Sequence, residues 1–113
     1  MKATLLIALL ALASQFAHAG SDANAGAQKS APCAACHGAD FNTPISADIP
    51  RLAGQHQDYL ARALTDYKSG ARKNPIMGGQ AGALSAQDIQ DLAVYISSRN
   101  GKLKVIPQHR LVQ

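Results

Sequence analysis

The sequence predicts a small all-α domain of three or more helices and their loops, closed around something besides its own side chains. Two stretches, 55–69 and 85–99, carry apolar residues at helical spacing. Aromatic residues make up only 4% of the chain and Trp is absent, so a domain of this size has few bulky rings with which to fill a core. The third observation is the run Cys33-Ala34-Ala35-Cys36-His37, which contains both cysteines of the chain.

Residues 1–19 read as a secretory signal peptide. Lys2 is its charged start, Leu5 to Ala13 its apolar run, and Ala17-His18-Ala19 a small-x-small cleavage site. That run is nine residues long, whereas a bilayer span needs roughly 20, so the expectation is cleavage after Ala19 and no stable membrane insertion of the mature chain. Residues 20–113 are then a single domain, with a short basic tail from about 101.

Asp22 to about Ser30 suits a first helix, with an acidic side chain at the positive end of the helix dipole. Pro32 biases Ala31 away from helical geometry, so this helix should stop there or restart at the cysteine motif. Gly26 lowers the propensity of its middle and marks either a neutral defect or a point of close approach. From Gly38 to Gly54 the periodicity vanishes, and Phe41, Asn42, Pro44 and Pro50 mark a surface loop with Ile45, Ile49 and Leu52 as scattered apolar anchors.

In 55–69 the residues Tyr59, Leu60, Ala63, Leu64 and Tyr67 share one arc of a helix, and Gly70 fits its C-terminal stop. Residues 71–84 read as irregular, with Asn74-Pro75 before Met77 and Gly78-Gly79 after it. Ser85 with Asp88 resembles a capping box, opening a helix whose stripe is Ile89, Leu92, Ala93 and Ile96, with Tyr95 at its edge and Asn100-Gly101 as its stop.

Two thiols three residues apart lie on one side of a helical turn, and an imidazole comes directly after the second. This is the spacing that attaches haem c: the sulfurs add to the two vinyl groups and the histidine falls under the iron. A zinc site needs four protein ligands, and beyond this motif only His56 and His109 remain in 20–113. A redox dithiol would come after a strand, and no β-branched or aromatic run precedes Cys33. One covalent haem c also supplies the apolar plate that the side chains lack.

The full chain carries a net charge of +4. Loss of Lys2, two propionates and one net positive charge on a ferric porphyrin bring the holoprotein to about +2. No clustered Lys/Arg stripe is present, which sets nucleic-acid binding aside.

Three motifs in order, Cys-Ala-Ala-Cys-His at 33–37, Pro-Arg-Leu-Ala-Gly at 50–54 and Asn-Pro-Ile-Met at 74–77, make 22–99 resemble a class I cytochrome c. The resemblance is to the small mono-haem type of the bacterial periplasm, similar to one domain of di-haem relatives. It implies that Cys33 and Cys36 carry the thioethers, that His37 binds iron through Nε2, and that the Pro50 carbonyl accepts from the other ring nitrogen. It also implies that the first and last helices cross at a small residue, with Gly26 against Tyr95 as the candidate pair.

Met77 is the one methionine besides the initiator. Placed in a loop flanked by Pro and Gly, off the apolar stripes, it is the expected second axial ligand, and His56 is its rival. With both axial positions filled by protein, outer-sphere electron transfer remains, which makes the chain an electron carrier rather than an enzyme. The expected partners are redox proteins, a cytochrome bc-type donor and a terminal oxidase or reductase. The alternative is a haem c subunit of a periplasmic oxidoreductase complex. A peroxidase or ligand sensor would require an open sixth position.

Overall fold

A computed structural model describes residues 20–104. The signal peptide expected at 1–19 and the end of the basic tail, 105–113, lie outside the described residues. Five helices run in order: α1 (Ala23–Lys29), α2 (Ala31–His37), α3 (Gln57–Ser69), α4 (Pro75–Gly82) and α5 (Ala86–Ser97). The architecture is all-α, as the sequence predicts, with no strand among the described residues. None of these helices is long and apolar enough to cross a membrane.

Local chemistry explains where the helices start. The Asp22 carboxylate accepts from the N–H groups of Asn24 and Ala25 and caps α1. Ser85 and Asp88 form the expected capping box on α5: the Ser85 hydroxyl accepts from Asp88 N–H at 3.0 Å and the Asp88 carboxylate from Ser85 N–H at 2.9 Å. Caps of this kind are each worth about 1 kcal/mol. Gly70 ends α3 in the left-handed conformation at φ 81°. Pro32 neither breaks nor joins the first two helices; it sits in the first turn of α2, where its missing N–H costs nothing.

Residues 75–82, expected to be irregular, form α4, because the Asn74 side chain accepts from Ile76 N–H and Met77 N–H, both at 3.0 Å, while Pro75 pre-sets the first turn. Gly78 and Gly79 lie inside this helix instead of turning the chain, and neither has a positive φ.

α1 packs on α5, α5 on α3, α3 on α4, and α2 on α1. The crossing of α1 and α5 is unusually close. A Cβ added at Gly26 would lie 2.0 Å from the Asp91 carbonyl oxygen and 2.7 Å from Tyr95 Cβ, so this glycine is a point of close approach and not a neutral defect. The core beneath consists of Phe41, Ala53, Leu60, Ala61, Ile89, Leu92, Ala93 and Ile96. The inward face of α3 is therefore turned toward Leu60 and Ala61, and Tyr59, placed on the core arc by periodicity, is 49% exposed. Ile45, expected to be an anchor, is also exposed.

A buried carboxylate ties the same two helices. Asp91 accepts from Asp22 N–H at 2.8 Å, Gln87 Nε2 at 2.8 Å and Lys29 Nζ at 2.9 Å. Lys29 also pairs with Asp88 at 2.8 Å. The Lys29 ammonium, then the Ser85 N–H, hold Asp88 down at about 2. Lys29, then Asp22 N–H and Gln87, lower Asp91 as well.

An unfolded Asp titrates near 3.9, so the stabilisation from these depressed carboxylates is complete above about pH 3.9 and fades as pH falls toward about 2. The expected result is a urea midpoint that drops between about pH 4 and pH 2 more steeply in the wild type than in Lys29→Met. Equal acid limbs would show that the network does not contribute to acid stability.

Candidate haem-binding site

α2 presents the attachment motif. The Ser30 carbonyl accepts from Cys33 N–H at 3.0 Å and Ala34 N–H at 2.9 Å, which starts the helix immediately after α1 ends. Cys33 and Cys36 stand one turn apart, both as free, half-buried thiols. Burial pushes the Cys33 thiol up, keeping it protonated near neutral pH.

His37 is the last residue of α2 and is buried. Its Nδ1 lies 2.8 Å from the Pro50 carbonyl oxygen. A carbonyl only accepts, so Nδ1 carries a proton, and in the neutral ring that leaves the lone pair on Nε2, the tautomer in which an imidazole binds a metal through Nε2. Such a bond fixes the ring and raises its basicity.

The loop that brings Pro50 to His37 is held by backbone bonds. Ile45 N–H donates to the Cys36 carbonyl at 3.0 Å, and the Phe41 carbonyl accepts from both Leu52 and Ala53, at 2.8 and 2.9 Å. Phe41 is fully buried at φ 55° and meets Tyr95 edge-on with ring centroids 6.0 Å apart. By sequence Phe41 reads only as a loop marker. A solitary aromatic among polar loop residues was the available signal that something in the loop is tethered inward.

Met77 is in the first turn of α4 and half-buried, beside an Ile76 that is 71% exposed. The segment leading to it is tied to α3. Arg72 N–H donates to the Asp66 carbonyl at 3.0 Å, its guanidinium lies 4.8 Å from the Tyr67 ring centre, and its Nη1 reaches the Tyr59 hydroxyl at 3.4 Å. Lys68 Nζ donates to the Leu84 carbonyl in the link between α4 and α5. His37 and Met77 thus come from helices at opposite ends of the packing order α2, α1, α5, α3, α4.

His56, the rival ligand, sits half-buried at the N-cap position of α3 and shares a surface cavity with Gln57, Asp58 and Gln90. That cavity contains none of the motif residues.

The donor set fits haem c: two thiols one helical turn apart, then a buried imidazole with its outer nitrogen already bonded. Fold and site together define a c-type haem protein, and covalent haem c with its iron is the cofactor of this class. Residues 23–100 match the family model for cytochrome c, and the chain belongs to that family.

It is 44% identical over 96 residues to a cytochrome c4 of Stutzerimonas stutzeri, a match covering 77% of this chain and 45% of the relative. Over 66 residues it is 44% identical to the thiosulfate dehydrogenase electron acceptor of the same species, covering 58% of this chain and 31% of the relative. The crystal structure of reduced recombinant cytochrome c4 from Pseudomonas stutzeri superposes with a TM-score of 0.69 at 41% identity, over 74% of this chain and 48% of the other. The chain spans less than half the length of these relatives. Members of the family are electron carriers or subunits of oxidoreductases and not themselves catalysts.

Proposed function

We propose that this chain is an exported one-electron carrier of the bacterial periplasm, released from a signal peptide at 1–19. Cys33 and Cys36 would hold the haem through two thioethers, and His37 Nε2 and the Met77 sulfur would bind its iron. The observation that carries the reading is the 2.8 Å contact between His37 Nδ1 and the Pro50 carbonyl, which leaves Nε2 as the free donor of a buried ring. Bound haem supplies a reversible ferric/ferrous couple.

The protein's part is to hold that couple without letting it do other chemistry. Pro50 fixes the tautomer and basicity of His37. Asn74 holds the backbone of Ile76 and Met77, and the Arg72 contacts hold the approach to α4 against α3. A methionine sulfur is a soft donor that favours ferrous iron and raises the potential. With both His37 and Met77 as ligands, oxygen and peroxide would be kept off the metal. The partners proposed are a cytochrome bc-type donor and a terminal oxidase or reductase.

Optical spectra of the purified holoprotein in both oxidation states test the site directly. The expected result is a low-spin haem c with the far-red sulfur-to-ferric-iron band. A high-spin ferric spectrum without that band would overturn the carrier reading.

The likeness to the cytochrome subunit of a sulfide dehydrogenase, 36% identical over 70 residues, favours a second reading, in which the chain works as the haem c subunit of a periplasmic oxidoreductase. Co-purification from native extract at moderate salt separates the two, since a subunit stays bound through a large apolar interface and a free carrier does not.

A further inference from the structure

The chain leaving α5 returns across the loop that carries Pro50, and one residue gathers the crossing, Asn42, through its backbone on the loop side and its side chain on the α5 side. Its N–H donates to Asp40 Oδ1 at 2.9 Å, its carbonyl accepts from Arg51 Nε at 2.8 Å, and its Oδ1 accepts from Lys102 N–H at 2.8 Å. Beside it, Gly101 presses on Ala53: a Cβ at Gly101 would lie 2.5 Å from the Ala53 carbonyl oxygen. Gly54 N–H, in turn, points to the Ile96 carbonyl at 3.4 Å.

Residues 51, 53 and 54 are therefore each tied to Asn42 or to the chain from Ile96 onward, and Pro50 is the residue immediately before them. The Pro50 carbonyl has its own oxygen on His37 Nδ1. We infer that the segment through Gly101 and Lys102, clasped by Asn42, is a positioning strap that presses the Pro50 carbonyl onto His37 and so sets the donor strength of the proximal imidazole. This rests on the proposed role of His37. It assigns a task to the start of the tail, which sequence reasoning had left without one.

The physical sign is definite. A carbonyl held close to Nδ1–H makes the imidazole a stronger donor, and a stronger donor stabilises ferric iron. Loosening the strap should therefore shift the couple toward ferrous iron and raise the potential. Asn42 touches neither iron nor ring, so it is a positioning residue.

The test uses holoprotein carrying Asn42→Ala, Asn42→Asp or Gly101→Ala. Asn42→Ala removes the acceptor for Lys102 N–H. It is expected to move the ferric/ferrous equilibrium about threefold toward ferrous, an upward shift of about 30 mV at 59 mV per tenfold. Solvent exchange of the His37 Nδ1 proton, read by NMR in the ferrous state, should quicken with it.

Asn42→Asp keeps the oxygen, and its added negative charge can only lower the potential, so it should not show the rise. Gly101→Ala would place a Cβ 2.5 Å from the Ala53 carbonyl oxygen, so the strap and Ala53 cannot keep their contact, and the potential and the Nδ1 exchange should both move, which keeps the inference testable if Asn42→Ala folds poorly. A lower melting temperature with unmoved potential and unmoved Nδ1 exchange would overturn the strap and leave a fold brace. The axial assignment fails on a different reading, the far-red sulfur band of the wild type, so the two ideas can fall separately.

Discussion

Met77→Ala is expected to abolish the far-red sulfur-to-iron band, convert the ferric haem to a high-spin or water-ligated form, and open it to carbon monoxide and peroxide. The potential should fall by on the order of 0.2 V, a fraction of the ~0.8 V range that axial ligation spans. The fold should survive, because Met77 is only half-buried and its backbone is held by the Asn74 cap, which the substitution leaves intact.

Met77→His separates loss of sulfur from loss of a ligand. It should keep a low-spin, six-coordinate iron and still lower the potential, since imidazole donates more strongly to the ferric state than a thioether does. A redox titration with the optical spectrum decides the matter. If the wild type lacks the band and Met77→Ala leaves both the spin state and the potential unchanged, another residue is the ligand, and His56 at the start of α3 is the next to substitute.

Replacing Cys33 and Cys36 together by Ser is expected to cost the fold as well as the haem. Among the described residues nine hydrophobic side chains are buried, and four of them are alanines: Ala53, Ala61, Ala81 and Ala93. Only Phe41 and Leu92 are large side chains fully out of solvent. Burial of a large apolar side chain contributes about 1.5–3 kcal/mol, against roughly 1–2 kcal/mol of backbone entropy for each residue ordered.

So thin a core leans on the haem plate and on the cross-links between α2 and the loop after it. The haem-free chain should lose most of its far-ultraviolet helical signal and melt without a cooperative transition. Native helical content with a sharp melt in the double variant would show that the helices are self-sufficient.

The parts legible in the sequence are those whose causes lie within a few residues. The spacing of Cys33, Cys36 and His37 is a property of one helical turn, and it held in α2. The capping box at Ser85 and Asp88 and the stop at Gly70 are equally local, and both formed as expected. Gly26 against Tyr95 was reached through the family resemblance, not through periodicity, and the crossing is there.

What failed was reading local signals through composition. Asn74 before Pro75 is a helix start, but Gly78-Gly79 and the lack of an apolar stripe hid it, and α4 starts where it does because Asn74 satisfies two of its first N–H groups. Tyr59 and Leu60 share an arc on any helical wheel; only the position of α5 decided that Leu60 and Ala61 turn inward while Tyr59 meets Arg72 at the surface.

The remaining features depend on groups distant in sequence. Asp91 is a plain acidic residue until α1 brings Asp22 and Lys29 to it, across 69 and 62 positions. Asn42 is a loop asparagine until Lys102 arrives, 60 positions later. A polar side chain can enter or bridge the interior only where partners satisfy it. Those partners are chosen by the packing of helices, so the sequence by itself determined the haem-attachment motif and the main helices, and the tertiary structure alone decided what holds them in register.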